Sequence, residues 1–76
     1  MSAIAELDHV ALARDYPEHG LVAGDIGCVT MVHQDGAGYT IEFVSLGGET
    51  VAILTVESAA VRQPGTREIA HVREMA

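Results

Sequence analysis

The sequence predicts an all-β domain: a small five-stranded barrel followed by a short C-terminal tail that is either helical or flexible. Three observations point there. Tyr39, Ile41 and Phe43 alternate with Thr40, Glu42 and Val44, the period of a strand with one buried face. Apolar runs recur at about eight- to twelve-residue spacing between turn signals, the rhythm of a small closed β structure. The stretch Leu21–Val32, LVAGDIGCVTMV, sets Gly24 and Gly27 around Asp25 and then turns apolar, as a chain does on entering a long, bent strand.

The elements follow in order. Residues 1–7 are mildly apolar, a helical turn or an arm. His9–Ala13 reads as a first strand with Val10 and Leu12 on one face. Asp15–Gly20 is punctuation, where Pro17 fixes its own φ and Gly20 supplies a positive one. Gly24, Asp25 and Gly27 turn the chain into a second strand, Asp25–Val32, which is apolar on both sides. Asp35-Gly36 is a hairpin signal, and Tyr39–Ser45 is the third strand with its aromatic face inward. Leu46–Glu49 turns into a fourth strand, Thr50–Val56. There Val51, Ile53 and Thr55 face one way, Ala52, Leu54 and Val56 the other. A strand apolar on both faces is usually covered on both. Glu57–Ala60 is one helical turn and Val61-Arg62 a brief closing strand. An SH3-like barrel over residues 1–64 is the economical arrangement, because closure leaves little free edge. In the tail, residues 65–76, Thr66 is placed to cap a short helix carrying Ile69 and Val72.

Composition narrows the function. The chain has 76 residues, enough for one domain that hides only about 60% of its unfolded surface. Phe43, Tyr16 and Tyr39 are its only aromatic rings, so the core is aliphatic, and burial in an oligomer is a common supplement at this size. The net charge is −7, with no lysine and only Arg14, Arg62, Arg67 and Arg73 as cations. A surface that tracks phosphates needs clustered basic residues, which disfavours nucleic acid and an anionic membrane as partners. No run is long enough to span a bilayer as a helix, and residues 1–7 lack the basic residues and apolar stretch of a signal peptide. A cytoplasmic location is expected.

Nothing in the sequence specifies catalysis, a cofactor or a metal. Cys28 is the only cysteine; His33, five residues on, falls on the opposite face of a regular strand, and a small buried hydrophobe is the simpler role. His9, His19, His33 and His71 form no ligand motif, and His33 with Asp35 is too few for a closed zinc site. No Gly-Lys-Ser/Thr follows the glycines, so they are turn residues and not a phosphate loop. Asp25 reads as a carboxylate bonding nearby turn amides, and Asp8 and Glu42 show no shared site.

A family resemblance rests on Leu7-Asp8, Val10-Ala11-Leu12, Pro17-Glu18, Gly20-Leu21, Gly24-Asp25-Ile26-Gly27, Val29, Tyr39, Glu42-Phe43-Val44, Gly48-Glu49-Thr50 and Leu54-Thr55-Val56. In order and spacing these residues resemble the small bacterial proteins grouped as DUF4926, over Leu7 to Arg62. The resemblance implies an SH3-like barrel and supplies no catalytic residues. Cys28 stands where the family pattern leads one to expect a small polar residue such as Thr. Gly24-x-x-Gly27-x-Val29 is also similar to the KOW motif of ribosomal and transcription proteins, which would imply RNA binding. KOW domains carry basic residues near that loop, whereas this one has Asp25 and no Lys or Arg.

The expected function is therefore a non-enzymatic protein-interaction module that forms a homo-oligomer and docks a protein partner, an immunity- or antitoxin-like role being one form of it. The candidate interface is the apolar surplus of strand four and the tail: Val51, Ile53, Leu54, Val56, Ile69, Val72 and Met75. The alternatives are a KOW-like nucleic-acid-binding domain and an enzyme or metal protein whose site lies between subunits.

Overall fold

Alternating apolar residues become strands here, and the glycine-rich segments between them become turns. The computed structural model describes residues 3–75. Residues 1–2 and 76, which bound the expected barrel and tail, lie outside the described residues. Five strands form one antiparallel sheet: β1 (His9–Leu12), β2 (Ile26–His33), β3 (Gly38–Val44), β4 (Thr50–Glu57) and β5 (Val61–Arg62). Their order across the sheet is β4-β3-β2-β1-β5. The edge strands β4 and β5 are not paired with each other. The sheet is thus a curled half-barrel and not the closed barrel that would hide its edges. With only two residues, β5 pairs with β1 through Ala11–Arg62 and Leu12–Val61 and reaches no further.

The concave face holds the core. Leu12, Ile41, Val10 and Val29 are its largest fully buried side chains. Tyr39, Phe43, Leu54, Val56, Leu21, Ala60 and Val61 complete it, so the inward aromatic face expected of β3 is the one observed. Apart from the Tyr39 phenol, no polar side chain among the described residues is buried. Gly27 is the tightest point. A Cβ there would lie 2.5 Å from Ile41 Cγ2 and 2.8 Å from Phe43 Cε1. The ring of the chain's only phenylalanine therefore packs onto bare backbone, and β2 needs a residue without a side chain at that point.

Two bulges modify the expected alternation. In β2, Val29 pairs with Ile41 but Met31 with Thr40, so Thr30 is the extra residue. In β4, Ala52 pairs with Phe43 but Thr50 with Val44, so Val51 is extra. A bulge shifts the side-chain parity on its own strand. Val51 accordingly packs half-buried against the core instead of sharing an outer face with Ile53.

The connections are short. Gly20 (φ 71°) ends the 3-10 turn Pro17–His19. The β2–β3 hairpin is made by Gln34, Asp35 and Gly36, all at positive φ, so the Asp35-Gly36 signal marks a left-handed turn that begins one residue earlier. The segment before β1 is an arm: the Asp8 carboxylate accepts the Ala5 amide at 2.9 Å, and the Leu7 amide donates to the Val29 carbonyl at 2.7 Å. Ser58–Ala60 is the expected single turn before β5.

The tail is not helical. One turn closes at Gly65–Glu68, where the Glu68 amide donates to the Gly65 carbonyl at 3.1 Å, and the rest is irregular. The Glu68 carboxylate explains the failure of the Thr66 cap: it takes the Gly65 amide at 2.6 Å and both Arg62 guanidinium nitrogens at 2.7 and 2.9 Å, which fixes a tight turn instead of a helical one. A helix this short has little intrinsic stability to set against that.

Replacing Gly27 by Ala is expected to cost about 1–3 kcal/mol through overpacking, read as a lower urea midpoint at unchanged slope. Because Phe43 is, with Ile41, one of the two side chains in the way, Phe43→Leu in the Gly27→Ala background should be less costly than the two single losses added together.

Candidate functional site

Asp25 sits at the entrance to β2 and is positioned by the barrel itself. Its carboxylate accepts the Val22 amide at 2.9 Å, its own amide donates to the Val22 carbonyl at 3.1 Å, and its carbonyl accepts the Leu12 amide at 2.9 Å. Gly24 (φ 94°) makes this turn possible and donates its amide to the Leu12 carbonyl at 2.8 Å. The tail closes over this point. Arg73 Nε donates to Asp25 Oδ1 at 2.8 Å, and its Nη2 donates both to Asp25 Oδ2 and to the Gly20 carbonyl, the latter at 2.9 Å. The Met75 methyl lies against Gly20, 3.3 Å from where a Cβ would stand. The Arg73 hydrogen bond, opposed by partial burial and aided by the Val22 amide and the guanidinium charge, holds the Asp25 carboxyl below its ordinary range.

Two grooves flank the pair. One runs between the tail and the outer side of β1 and β2, with Ala11, Ile26, Glu68 and Ile69 in its walls. The other reaches the end of the β3–β4 hairpin and is lined by Leu21, Phe43, Val44, Leu46, Val51 and Val72, among others. Asp25 and Arg73 belong to both. The tail roofs these grooves without burying itself: Ile69 is 92% exposed and Val72 73%.

The outer face of the sheet carries a second polar arrangement. The Thr30 bulge returns His33 to the same side as Cys28, against the parity of a regular strand. The two are not brought together. Cys28 stands opposite Glu42, while His33 Nε2 is hydrogen-bonded to Thr40 Oγ1 at 2.7 Å, and Thr40 Oγ1 to Thr55 Oγ1 at 2.9 Å. The row of side chains crosses β2, β3 and β4. Thr50 donates to Glu42 Oε2 at 2.8 Å beside it. Among the described residues no three His, Cys, Asp or Glu side chains group as a metal site would need. No helix among them is long and apolar enough to cross a membrane.

The expected interface residues divide. Leu54 and Val56 are core residues, each 7% exposed, and leave the candidate surface, because the inward face of β4 is covered by its own chain. Val51 is drawn inward by its bulge. Ile53 stays on the surface at 61% exposure, and Ile69, Val72 and Met75 are also exposed. The partnership of Arg73 with Asp25 could not be read in advance: the residues are 48 positions apart, and no local pattern links them. The one usable signal is composition, since a chain with so few cations tends to pair each with an acid.

The family described as a domain of unknown function, DUF4926, matches residues 6–63. The chain belongs to this family, which covers all five strands and stops before the Gly65 turn. No curated protein and no solved structure matches it.

The clasp predicts a pH dependence. Both Asp25 and Glu68 have folded-state pKa values below their ordinary ones, Glu68 at about 2 through its Arg62 hydrogen bonds and the Gly65 amide. The unfolded chain therefore binds more protons between the folded and unfolded values. The stabilisation is complete above about pH 4.5 and is lost as pH falls toward about 2. Arg73→Ala should lower the melting temperature modestly at neutral pH, the guanidinium being partly solvated. Melting temperatures of the variant and the parent should converge as pH falls through the lowered folded-state pKa of Asp25, where the carboxylate protonates in both.

Proposed function

We propose that this protein is a non-catalytic interaction module that associates with a second copy of itself through the free edge of β4. The observation that carries this is the edge strand itself. Thr50–Glu57, TVAILTVE, is eight residues long, is hydrogen-bonded to β3 on one side, and among the described residues has no strand of the sheet on the other. Edge strands are normally guarded by lysine, proline or an inward charge. From Thr50 to Val56 β4 has no charged residue, no proline and no glycine, and its β-branched side chains suit strand addition. Ile53, outward and 61% exposed, supplies an apolar contact next to that edge. Antiparallel pairing of two β4 strands would extend one sheet across both copies and supply partners for the free backbone groups. Such a contact is isologous, as two-fold dimers require.

Nucleic acid is the weaker reading. Arg14 is engaged by Glu57, Arg62 by Glu68 and Arg73 by Asp25, so three of the four arginines are held by carboxylates in separate places. Little basic surface is left to face a phosphate backbone.

Light scattering on the purified chain should give the mass of two copies at micromolar concentration. Ile53→Lys places a charge beside the edge at an exposed position and should return the protein to one copy without lowering its melting temperature by more than a few degrees. A wild-type protein that stays at the mass of one chain at all concentrations would overturn the reading.

A further inference from the structure

The tail behaves as a ligand of the barrel and not as part of it. Beyond Glu68 it makes no backbone–backbone hydrogen bond among the described residues. Its aliphatic side chains Ile69 and Val72 stay in solvent. What holds residues 69–75 is one guanidinium and one thioether: Arg73 on Asp25 and the Gly20 carbonyl, Met75 against Gly20. The receiving groups do not depend on the tail. Asp25 is fixed by Val22 and Leu12, and the Gly20 turn is closed by its own amide donating to the Pro17 carbonyl at 3.1 Å. A carboxylate with a carbonyl beside it, organised in advance and 16% exposed even under its occupant, is a receptor for a planar fork of N–H donors.

From this we infer that Asp25 and the Gly20 carbonyl form an arginine-reading site which the chain's own Arg73 occupies, and that a protein partner displaces the tail by presenting an extended basic segment with the pattern Arg-x-aliphatic. The pattern is the one Arg73 and Met75 already show. The partner's sign follows from charge. The chain carries −7, and three of its arginines are already neutralised at close range, so the long-range field favours a basic segment at this site. This surface lies at the β2 entrance and is independent of the β4 edge. Ten residues separate β5 from Arg73, and a tether of that length holds the competing arginine at an effective concentration on the order of millimolar. The tail is therefore a built-in competitor, which sets a threshold that a partner must exceed.

The test uses full-length chains and a fluorescein-labelled peptide of residues 66–75 as the probe. Anisotropy titrations should show Arg73→Ala binding the peptide at least about tenfold more tightly than the wild type, because the internal competitor is gone. Adding Asp25→Asn, which keeps an acceptor for the Val22 amide but removes the charge, should abolish that gain while circular dichroism shows the sheet intact. The same peptide carrying Arg73→Lys should bind Arg73→Ala more weakly, since an ammonium cannot span both acceptors. Equal binding to wild type and Arg73→Ala, or binding indifferent to Asp25→Asn, would overturn the inference. So would a wild-type dimer that the single Asp25→Asn substitution dissolves, because a second copy's tail would then be the occupant. Should the double variant lose its fold, salt decides: binding to Arg73→Ala must weaken steeply between about 50 and 500 mM salt, and salt-independent binding refutes the site. Ile53→Lys leaves all of these readouts unchanged and separates this site from the β4 contact.

Discussion

The fold depends on the contact between Phe43 and Gly27. A chain of this length has little apolar volume to spend, and its one phenylalanine must be buried completely to be useful. The ring, 3% exposed, achieves this by lying on the backbone of β2 where no Cβ intervenes. That close approach brings β3 over the start of β2, next to the turn that positions Asp25. The same glycine thus serves core packing and the geometry of the surface feature beside it. The stretch Gly24-Asp25-Ile26-Gly27 can be understood physically: one glycine for a left-handed turn, one carboxylate to tie that turn, one glycine to admit a ring.

Much of this architecture was legible because β-strands announce themselves through period-2 patterning. β3 shows it without interruption, and Tyr39, Ile41 and Phe43 all point inward. The closing pair Val61-Arg62 was legible from its place before Pro64. The bulges were not. Thr30 and Val51 are ordinary β-branched residues, and the extra residue in each case is a property of the pairing and not of the strand's own sequence. Of the candidate interface residues on β4, Val51 owes its inward position to the bulge, while Leu54 and Val56 face the core by regular alternation.

The tail taught the reverse lesson. Ile69 and Val72 have helical spacing, yet each is left in solvent, and the local hydrogen bonds go to the Glu68 carboxylate. Spacing predicts a helix only when something waits to receive the apolar stripe, and here the tail approaches the barrel through charge. The structure's ion pairs share a feature: each joins an arginine to a carboxylate from a different element or turn, Arg14 to the end of β4, Arg62 to the tail, Arg73 to the β2 entrance. In a chain with four cations and an excess of acids, placing cations at the joints between segments is an economical use of scarce charge.

The hydroxyl row on the outer face has a consequence of its own. Thr40 Oγ1 carries a single proton and stands between His33 Nε2 and the Thr55 hydroxyl. When His33 is protonated on Nδ1 alone, Thr40 must donate to the ring and accept from Thr55. When the ring carries its proton on Nε2, Thr40 accepts from it and its own proton is free to go to Thr55. The Nδ1–H tautomer of one imidazole on β2 thus commits the proton of a hydroxyl two strands away, so that a group meeting the β4 surface at Thr55 then encounters an acceptor, whereas the Nε2–H tautomer leaves that proton free to be donated.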